Sequence, residues 1–85
     1  MRYTQKYAEG WFKRLAESLG KDIAEGDNFH KIGAWEFSYN ALYGGAIVEE
    51  VNNESRGITH PLTEYRLKPF EFGVMCDAII KSHRE

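Results

Sequence analysis

The sequence predicts a single small α+β domain spanning residues 1–85. Two segments carry apolar residues at helical spacing, and two short segments between them alternate apolar and polar residues as half-buried strands do. With 85 residues, of which 42% are apolar, the chain can bury one modest core. We therefore expect neither a second domain nor the deep cleft of a large enzyme.

The two helices are predicted at residues 4–19 and from Pro69 onward. Thr4 suits the N-cap of the first helix and Gly20 its C-terminal stop, while Gly10 in its middle costs about 1 kcal/mol relative to alanine. Asp77 and Lys81 form a favourable pair at spacing four on the last helix. The apolar stripes are Tyr7, Ala8, Trp11, Phe12, Leu15, Ala16 and Leu19 on the first helix, and Phe72, Met75, Cys76 and Ile79 on the last.

The region between the helices contains one ambiguous segment, residues 32–43. Trp35, Phe37 and Tyr39 alternate with polar residues as in a strand, yet Ala34, Phe37 and Ala41 also fall at helical spacing. Residues 21–25 suit a short helical turn. Residues 46–51 and 63–67 are predicted strands that pair across a loop at 52–61, and Gly44-Gly45 is interpreted as a helix stop or hairpin turn.

This order of elements resembles a winged helix-turn-helix domain, in which a three-helix unit precedes a β-hairpin wing and a closing helix. Residues 40–51 (NALYGGAIVEEV) resemble the end of a recognition helix entering the first wing strand. Residues 63–69 (TEYRLKP) resemble the second wing strand entering the last helix. The pattern, over about residues 20–80, is similar to small bacterial regulators of the MarR and HxlR type. The alternative fold makes residues 30–40 a strand, giving two helices packed on a three-stranded antiparallel sheet.

The resemblance implies DNA binding by residues 33–43 and by the wing tip, in a regulator that binds weakly or as a dimer. Residues 33–43 contain no Lys or Arg, so base contacts would come from Ser38 and Asn40 and phosphate contacts from cations outside that segment. The candidate DNA-binding residues are Lys31, Ser38, Asn40, Arg56 and Arg66.

The uneven charge distribution favours a second hypothesis, a small acidic protein that docks on a larger protein as an inhibitor or adaptor, as mobile elements encode. Residues 1–21 carry a net charge of +3, residues 22–54 carry −6 and residues 55–85 carry +1. An acidic segment repels phosphates, whereas exposed Tyr and Trp are common interface anchors. The candidate interface residues are Trp35, Tyr39, Tyr43, Glu49 and Glu50.

No spacing in the sequence is typical of a catalytic, metal or cofactor site. The three histidines, His30, His60 and His83, are far apart in the chain, and Cys76 falls on an apolar stripe where a free thiol acts as a small hydrophobe. We expect a non-enzymatic protein without cofactor or metal. Without an apolar run of membrane-spanning length or a signal-peptide pattern, we expect a cytoplasmic location and no membrane partner.

Overall fold

The computed structural model describes residues 3–53, 55 and 57–83. These residues form two α-helices and one antiparallel sheet with strand order β1-β2-β3. Two short 3-10 helices, Gly26–Asn28 and Ala41–Tyr43, lie in the connections. The elements in chain order are α1 (Gln5–Leu19), β1 (Trp35–Asn40), β2 (Gly45–Val51), β3 (Ile58–Thr59) and α2 (Pro69–His83).

Helix α1 confirms the prediction made from its caps and its apolar stripe. The Thr4 hydroxyl accepts a hydrogen bond from the Tyr7 backbone N–H at 3.4 Å. Gly20 ends the helix in the left-handed conformation, φ 69°, and its N–H donates to carbonyls of the last turn. The stripe residues Ala8, Phe12, Leu15 and Ala16 are buried.

Helix α2 packs against α1 through the backbone of Gly73. A Cβ at Gly73 would lie 2.9 Å from ring atoms of both Tyr7 and Trp11, so only glycine lets these two rings rest on α2. The predicted Asp77–Lys81 pair is present, with its nitrogen and oxygen 3.0 Å apart. The start at Pro69 and the burial of Phe72 and Cys76 also agree with the sequence.

Both helices cover the same face of the sheet. The Phe37 ring on β1 lies 5.7 Å from Phe12 of α1 and 5.6 Å from Phe72 of α2, measured between ring centroids. Trp35 and Val48 extend the same buried cluster along β1 and β2. Since side chains alternate between faces along a strand, Ser38 lies on the face away from the helices.

The structure corrects the leading interpretation of residues 32–43. Half of this segment, residues 35–40, is strand β1, in which Phe37 pairs with Val48 in an antiparallel register, and residues 41–43 form only a short 3-10 helix. The preceding segment is extended as well, because the Trp35 N–H donates to the Asp22 carbonyl and the Ala24 N–H donates to the Trp35 carbonyl. Residues 21–25 are therefore not the predicted helical turn, and the three-helix unit is not formed in the described part of the chain. The alternative fold, two helices on a three-stranded antiparallel sheet, is confirmed.

The third strand also differs from its predicted position at residues 63–67. The Asn53 side chain accepts the N–H groups of Ser55 at 3.0 Å and Gly57 at 2.9 Å, closing a turn that starts β3 at Ile58. Leu67 returns to the same edge of β2 as an isolated bridge to Ala46. The alternation over 63–67 was misleading because this segment forms no continuous ladder.

We call residues 58–67 the outer segment. Its first pairing joins Thr59 to Glu50, and its last joins Leu67 to Ala46. Between those two pairings the outer segment takes eight residue steps where β2 takes four. The four extra residues must leave the plane of the sheet, which releases the intervening side chains from strand geometry.

Candidate functional site

The most exposed large apolar side chains lie in the turn between β1 and β2. We call residues 41–44 the tip. Leu42 is 90% exposed and Tyr43 is 75% exposed. The Asn40 carboxamide oxygen caps the turn by accepting the Leu42 N–H at 3.0 Å, and Gly44 ends it with φ 104°. A side-chain cap and a glycine stop thus hold two apolar side chains in solvent.

The base of the tip is fixed by a close backbone approach at Gly45. Ala46 and Leu67 exchange two backbone hydrogen bonds, of 2.7 and 2.8 Å. This pairing brings the Leu67 carbonyl so close to Gly45 that a Cβ there would lie 2.2 Å from the oxygen. With φ 116°, Gly45 is also in a conformation that L side chains rarely adopt. Glycine is required at this position for two separate reasons.

Arg66 fastens the outer segment to the hairpin below the tip. Its Nη1 donates to the Ser38 carbonyl oxygen at 3.1 Å and to the Gly45 carbonyl oxygen at 3.0 Å, and its Nη2 donates to Ser38 Oγ at 2.9 Å. One guanidinium group therefore holds both strands of the hairpin. Since Ser38 Oγ is on the face away from the helices, the guanidinium crosses that face of the sheet.

A further exposed aromatic residue is next to Arg66 in the chain. Tyr65 is exposed and directly precedes Arg66. A Cβ at Gly44 would lie 3.7 Å from the Arg66 Cβ, so this part of the outer segment runs alongside the tip. We call Leu42, Tyr43 and Tyr65 the tip patch. Of these three residues, only Tyr43 is among the interface residues predicted from the sequence.

The candidate DNA-binding residues have internal partners where the structure describes them. Ser38 and Arg66 bond to each other, Asn40 caps the tip, and Lys31 forms an ion pair with Asp22. Arg56 lies outside the described residues. The hairpin thus brings Ser38, Asn40 and Arg66 together, on strand and loop backbone rather than on a helix.

Two of the candidate interface residues pair with each other at the edge of the core. Trp35 is buried, and its indole Nε1 donates to the Glu50 carboxylate at 2.8 Å. The ammonium of Lys21 lies 5.5 Å from the Trp35 ring centroid, within range of a cation–π interaction. Trp35 is therefore a core residue rather than an exposed anchor.

The other three candidate interface residues are separated by the sheet. Tyr39 packs against the core from β1, and its ring stacks with Phe37 at a centroid distance of 6.4 Å. Glu49 lies 3.6 Å from the imidazole of His60 on the outer segment. Tyr43 alone of the five predicted interface residues is exposed in the tip.

The potential metal ligands of the described residues are dispersed, and the cysteine is buried. Among them, no group of three or more His, Cys, Asp and Glu side chains is placed to hold a metal ion. Cys76 is fully buried, and desolvation raises the pKa of its thiol to about 12, which keeps it protonated and unreactive. Neither α1 nor α2 has the length and apolar character needed to span a membrane.

Comparisons with known proteins identified no relative of this chain. No protein family matches the chain, and neither the curated proteins nor the solved structures include a significant match.

Proposed function

We propose that this chain is a small protein-interaction domain that docks on a larger protein by inserting its tip patch into an apolar pocket. The observation that carries the proposal is the exposure of Leu42 and Tyr43 on a turn that is capped and clamped. Apolar and aromatic side chains that enter a partner's pocket dominate the free energy of many interfaces. Burying one such side chain contributes about 2 kcal/mol.

The rigidity of the tip supports binding over simple tolerance of exposed side chains. A flexible loop loses conformational entropy when it binds, whereas a preorganised one has lost it already on folding. Here the Asn40 cap, the backbone pairing of Leu67 with Ala46 and the Arg66 clamp all act within a few residues of Leu42. Several polar interactions thus hold two apolar side chains in a position exposed to solvent.

Protein binding also agrees better than DNA binding with the internal contacts of two predicted DNA-binding cations. Phosphate attraction requires cations that face the nucleic acid. The Arg66 guanidinium is engaged by Ser38 and Gly45, and Lys31 is paired with Asp22. The middle third of the chain carries a net charge of −6, and its strand carboxylates, Glu36, Glu49 and Glu50, lie at the end of the hairpin away from the tip. We expect this charge to disfavour a nucleic acid as the partner.

The test compares variants of the tip with a matched variant at the opposite end of the hairpin. Leu42→Ser and Tyr43→Ser remove the two anchors, and Ile32→Ser removes an equally apolar exposed residue that lies beside the Gly33–Val51 backbone bond. All three side chains are exposed, so the free energy of unfolding should change by less than about 0.5 kcal/mol.

The wild-type domain is used to capture partners from cells that express it, and the captured proteins are identified by mass spectrometry. The affinity of each variant for the purified partner is then measured by calorimetry. We expect each tip variant to weaken binding by about tenfold or more, while Ile32→Ser binds as the wild type does. Equal affinity of all four proteins would refute the proposed docking surface.

A further inference from the structure

The outer face of α2 carries an apolar ridge between charged residues. Phe70, Val74 and Ala78 are exposed, and their spacing of four residues places them in one ridge along the helix. Phe70 is 48% exposed and Val74 is 53% exposed. The Tyr3 ring, itself exposed, lies 4.8 Å from Phe70 and extends the apolar surface beyond the first turn. We call Tyr3, Phe70, Val74 and Ala78 the α2 patch.

The contrast with α1 shows that this surface is unusual within the same molecule. The outer face of α1 carries Lys6, Lys13, Arg14 and Glu17, as expected for a helix that meets water on one side. On α2 the inner face, with Phe72 and Cys76, fills the core, and the outer face also carries an apolar ridge, beside the charged residues Glu71, Asp77 and Lys81. A helix with apolar residues on both sides is typical of one that is covered on both sides.

We propose that a second copy of this chain covers the α2 patch, with the two α2 helices packed antiparallel about a two-fold axis. The charges at the ends of the ridge favour this occupant. Glu71 is exposed in the first turn of α2, and Lys81 is exposed in the last. In an antiparallel pair, Glu71 of each copy faces Lys81 of the other, and Val74 packs against Ala78 of the other copy. The same two-fold contact thus satisfies the apolar ridge and both charged ends.

A parallel pairing is less favourable for the same reason. It would set Glu71 against Glu71 and Lys81 against Lys81, and it would align the two helix dipoles in the same direction. The patch comprises one helix face and one added ring, which is smaller than a standard stable interface. The dimer is therefore a weak one whose population depends on protein concentration.

This surface is distinct from the tip patch, so the dimer and the docking function are tested separately. The first experiment is sedimentation equilibrium of the purified domain from micromolar to millimolar concentration. Val74→Glu introduces a charge at the centre of the α2 patch, and Ile32→Glu introduces the same charge at another exposed apolar residue. We expect Val74→Glu to raise the dimer dissociation constant at least a hundredfold and Ile32→Glu to leave it unchanged.

A charge-reversal cycle tests the antiparallel arrangement itself. Glu71→Lys and Lys81→Glu each place like charges opposite one another and should weaken the dimer by about tenfold. The double variant restores opposite charges and should return to within about threefold of the wild type. Circular dichroism checks that each variant is folded, since Lys81 also pairs with Asp77 within its own helix.

Three outcomes would contradict the proposal or its antiparallel arrangement. A wild type that remains monomeric at millimolar concentration overturns the proposal and leaves the patch to a different protein. So does a dimer that Val74→Glu leaves intact. A double variant that stays as weak as the single ones overturns the antiparallel arrangement.

Discussion

Arg66 on the outer segment and Ser38 on β1 are joined by two hydrogen bonds, although strand β2 lies between them. Nη1 reaches the Ser38 carbonyl oxygen at 3.1 Å and Nη2 reaches Ser38 Oγ at 2.9 Å. A third bond, from Nη1 to the Gly45 carbonyl oxygen at 3.0 Å, holds the strand that is crossed. Strand β3 contributes only two residues to the sheet, so the Arg66 side chain is a major attachment of the outer segment to the hairpin.

Replacing Arg66 should therefore destabilise the fold more than replacing a neighbouring cation. Hydrogen bonds from a charged donor contribute about 1.5–3 kcal/mol. We expect Arg66→Ala to lower the free energy of unfolding by about 3 kcal/mol, and Ser38→Ala, which removes only the Oγ contact, by about 1 kcal/mol. Urea denaturation followed by tryptophan fluorescence measures both.

Lys68 provides the control for the Arg66 substitution. It lies two residues further along and its side chain is exposed, so Lys68→Ala should change stability by less than about 0.5 kcal/mol. If Arg66→Ala and Lys68→Ala cost the same, the guanidinium bonds do not hold the hairpin.

The two adjacent glycines of the hairpin should tolerate alanine to different degrees. Gly44 and Gly45 both have positive φ, at 104° and 116°, so an alanine at either position is strained by about 1–2 kcal/mol. At Gly44 the added Cβ meets nothing closer than 3.7 Å, whereas at Gly45 it would overlap the Leu67 carbonyl.

We expect Gly44→Ala to cost about 1–2 kcal/mol of unfolding free energy. Gly45→Ala should cost more than about 4 kcal/mol, or prevent folding, because the backbone pairing of Ala46 with Leu67 must open. Thermal unfolding of the two variants side by side measures the difference. Equal melting temperatures would mean that the outer segment does not approach Gly45 as closely as described.

Gly10 offers the opposite case, a glycine whose replacement should stabilise the domain. It lies in the middle of α1, it is exposed, and a Cβ there would have no heavy atom of the rest of the fold within 4 Å. Alanine exceeds glycine in helix propensity by about 1 kcal/mol. Gly10→Ala should raise the melting temperature by about 4–8 °C, measured by circular dichroism. A lower melting temperature would show that the glycine has a structural role within the folded chain.

Cys76 should react with thiol reagents only when the domain unfolds. Burial raises the pKa of this thiol from 9.0 to about 12, so at pH 8 the native thiolate population is on the order of a thousandfold below that of the unfolded chain. Reaction with a disulfide reagent should be slow in buffer and rapid in concentrated urea. Comparable rates in the two solutions would contradict the burial.

The same pKa difference predicts how stability depends on pH. The pKa of the thiol is higher in the folded chain than in the unfolded chain, so the unfolded chain ionises first as the pH rises. The stabilisation from the neutral buried thiol is therefore fully present below about pH 9 and is lost as the pH rises toward 12. Cys76→Ala should remove this part of the alkaline loss of stability, and urea denaturation between pH 8 and 11 compares the variant with the wild type.

Both helices could be predicted from the sequence because their signals are local. In α1, Thr4 and Gly20 cap the ends, and the spacing of Phe12 and Leu15 gives the buried face. Residues 32–43 lacked such a decisive signal, since Phe37 fits a helix with Ala34 and a strand with Tyr39. The segment is a strand because β2 pairs with it and because residues 22–24 form backbone hydrogen bonds with Trp35.

Much of the candidate site could not be predicted at all. Tyr43 was recognised as an aromatic residue in an acidic segment, but so was Trp35, and nothing in the sequence distinguished the exposed ring from the buried one. Leu42 and Tyr65 were missed because their exposure depends on where the outer segment returns to β2. The hydrogen-bond partners of Arg66, Ser38 and Gly45, are 28 and 21 residues away in the chain. Because local spacing does not show these partners, the sequence predicts Arg66 as a DNA contact.

The sequence by itself determined the helices, the turn glycines and the acidic middle, since each follows from side chains a few residues apart. Tertiary structure alone decided that the middle segment is a strand, which aromatic residues are buried, and which apolar side chains remain in solvent. These outcomes depend on contacts between distant parts of the chain, and local spacing carries no information about them.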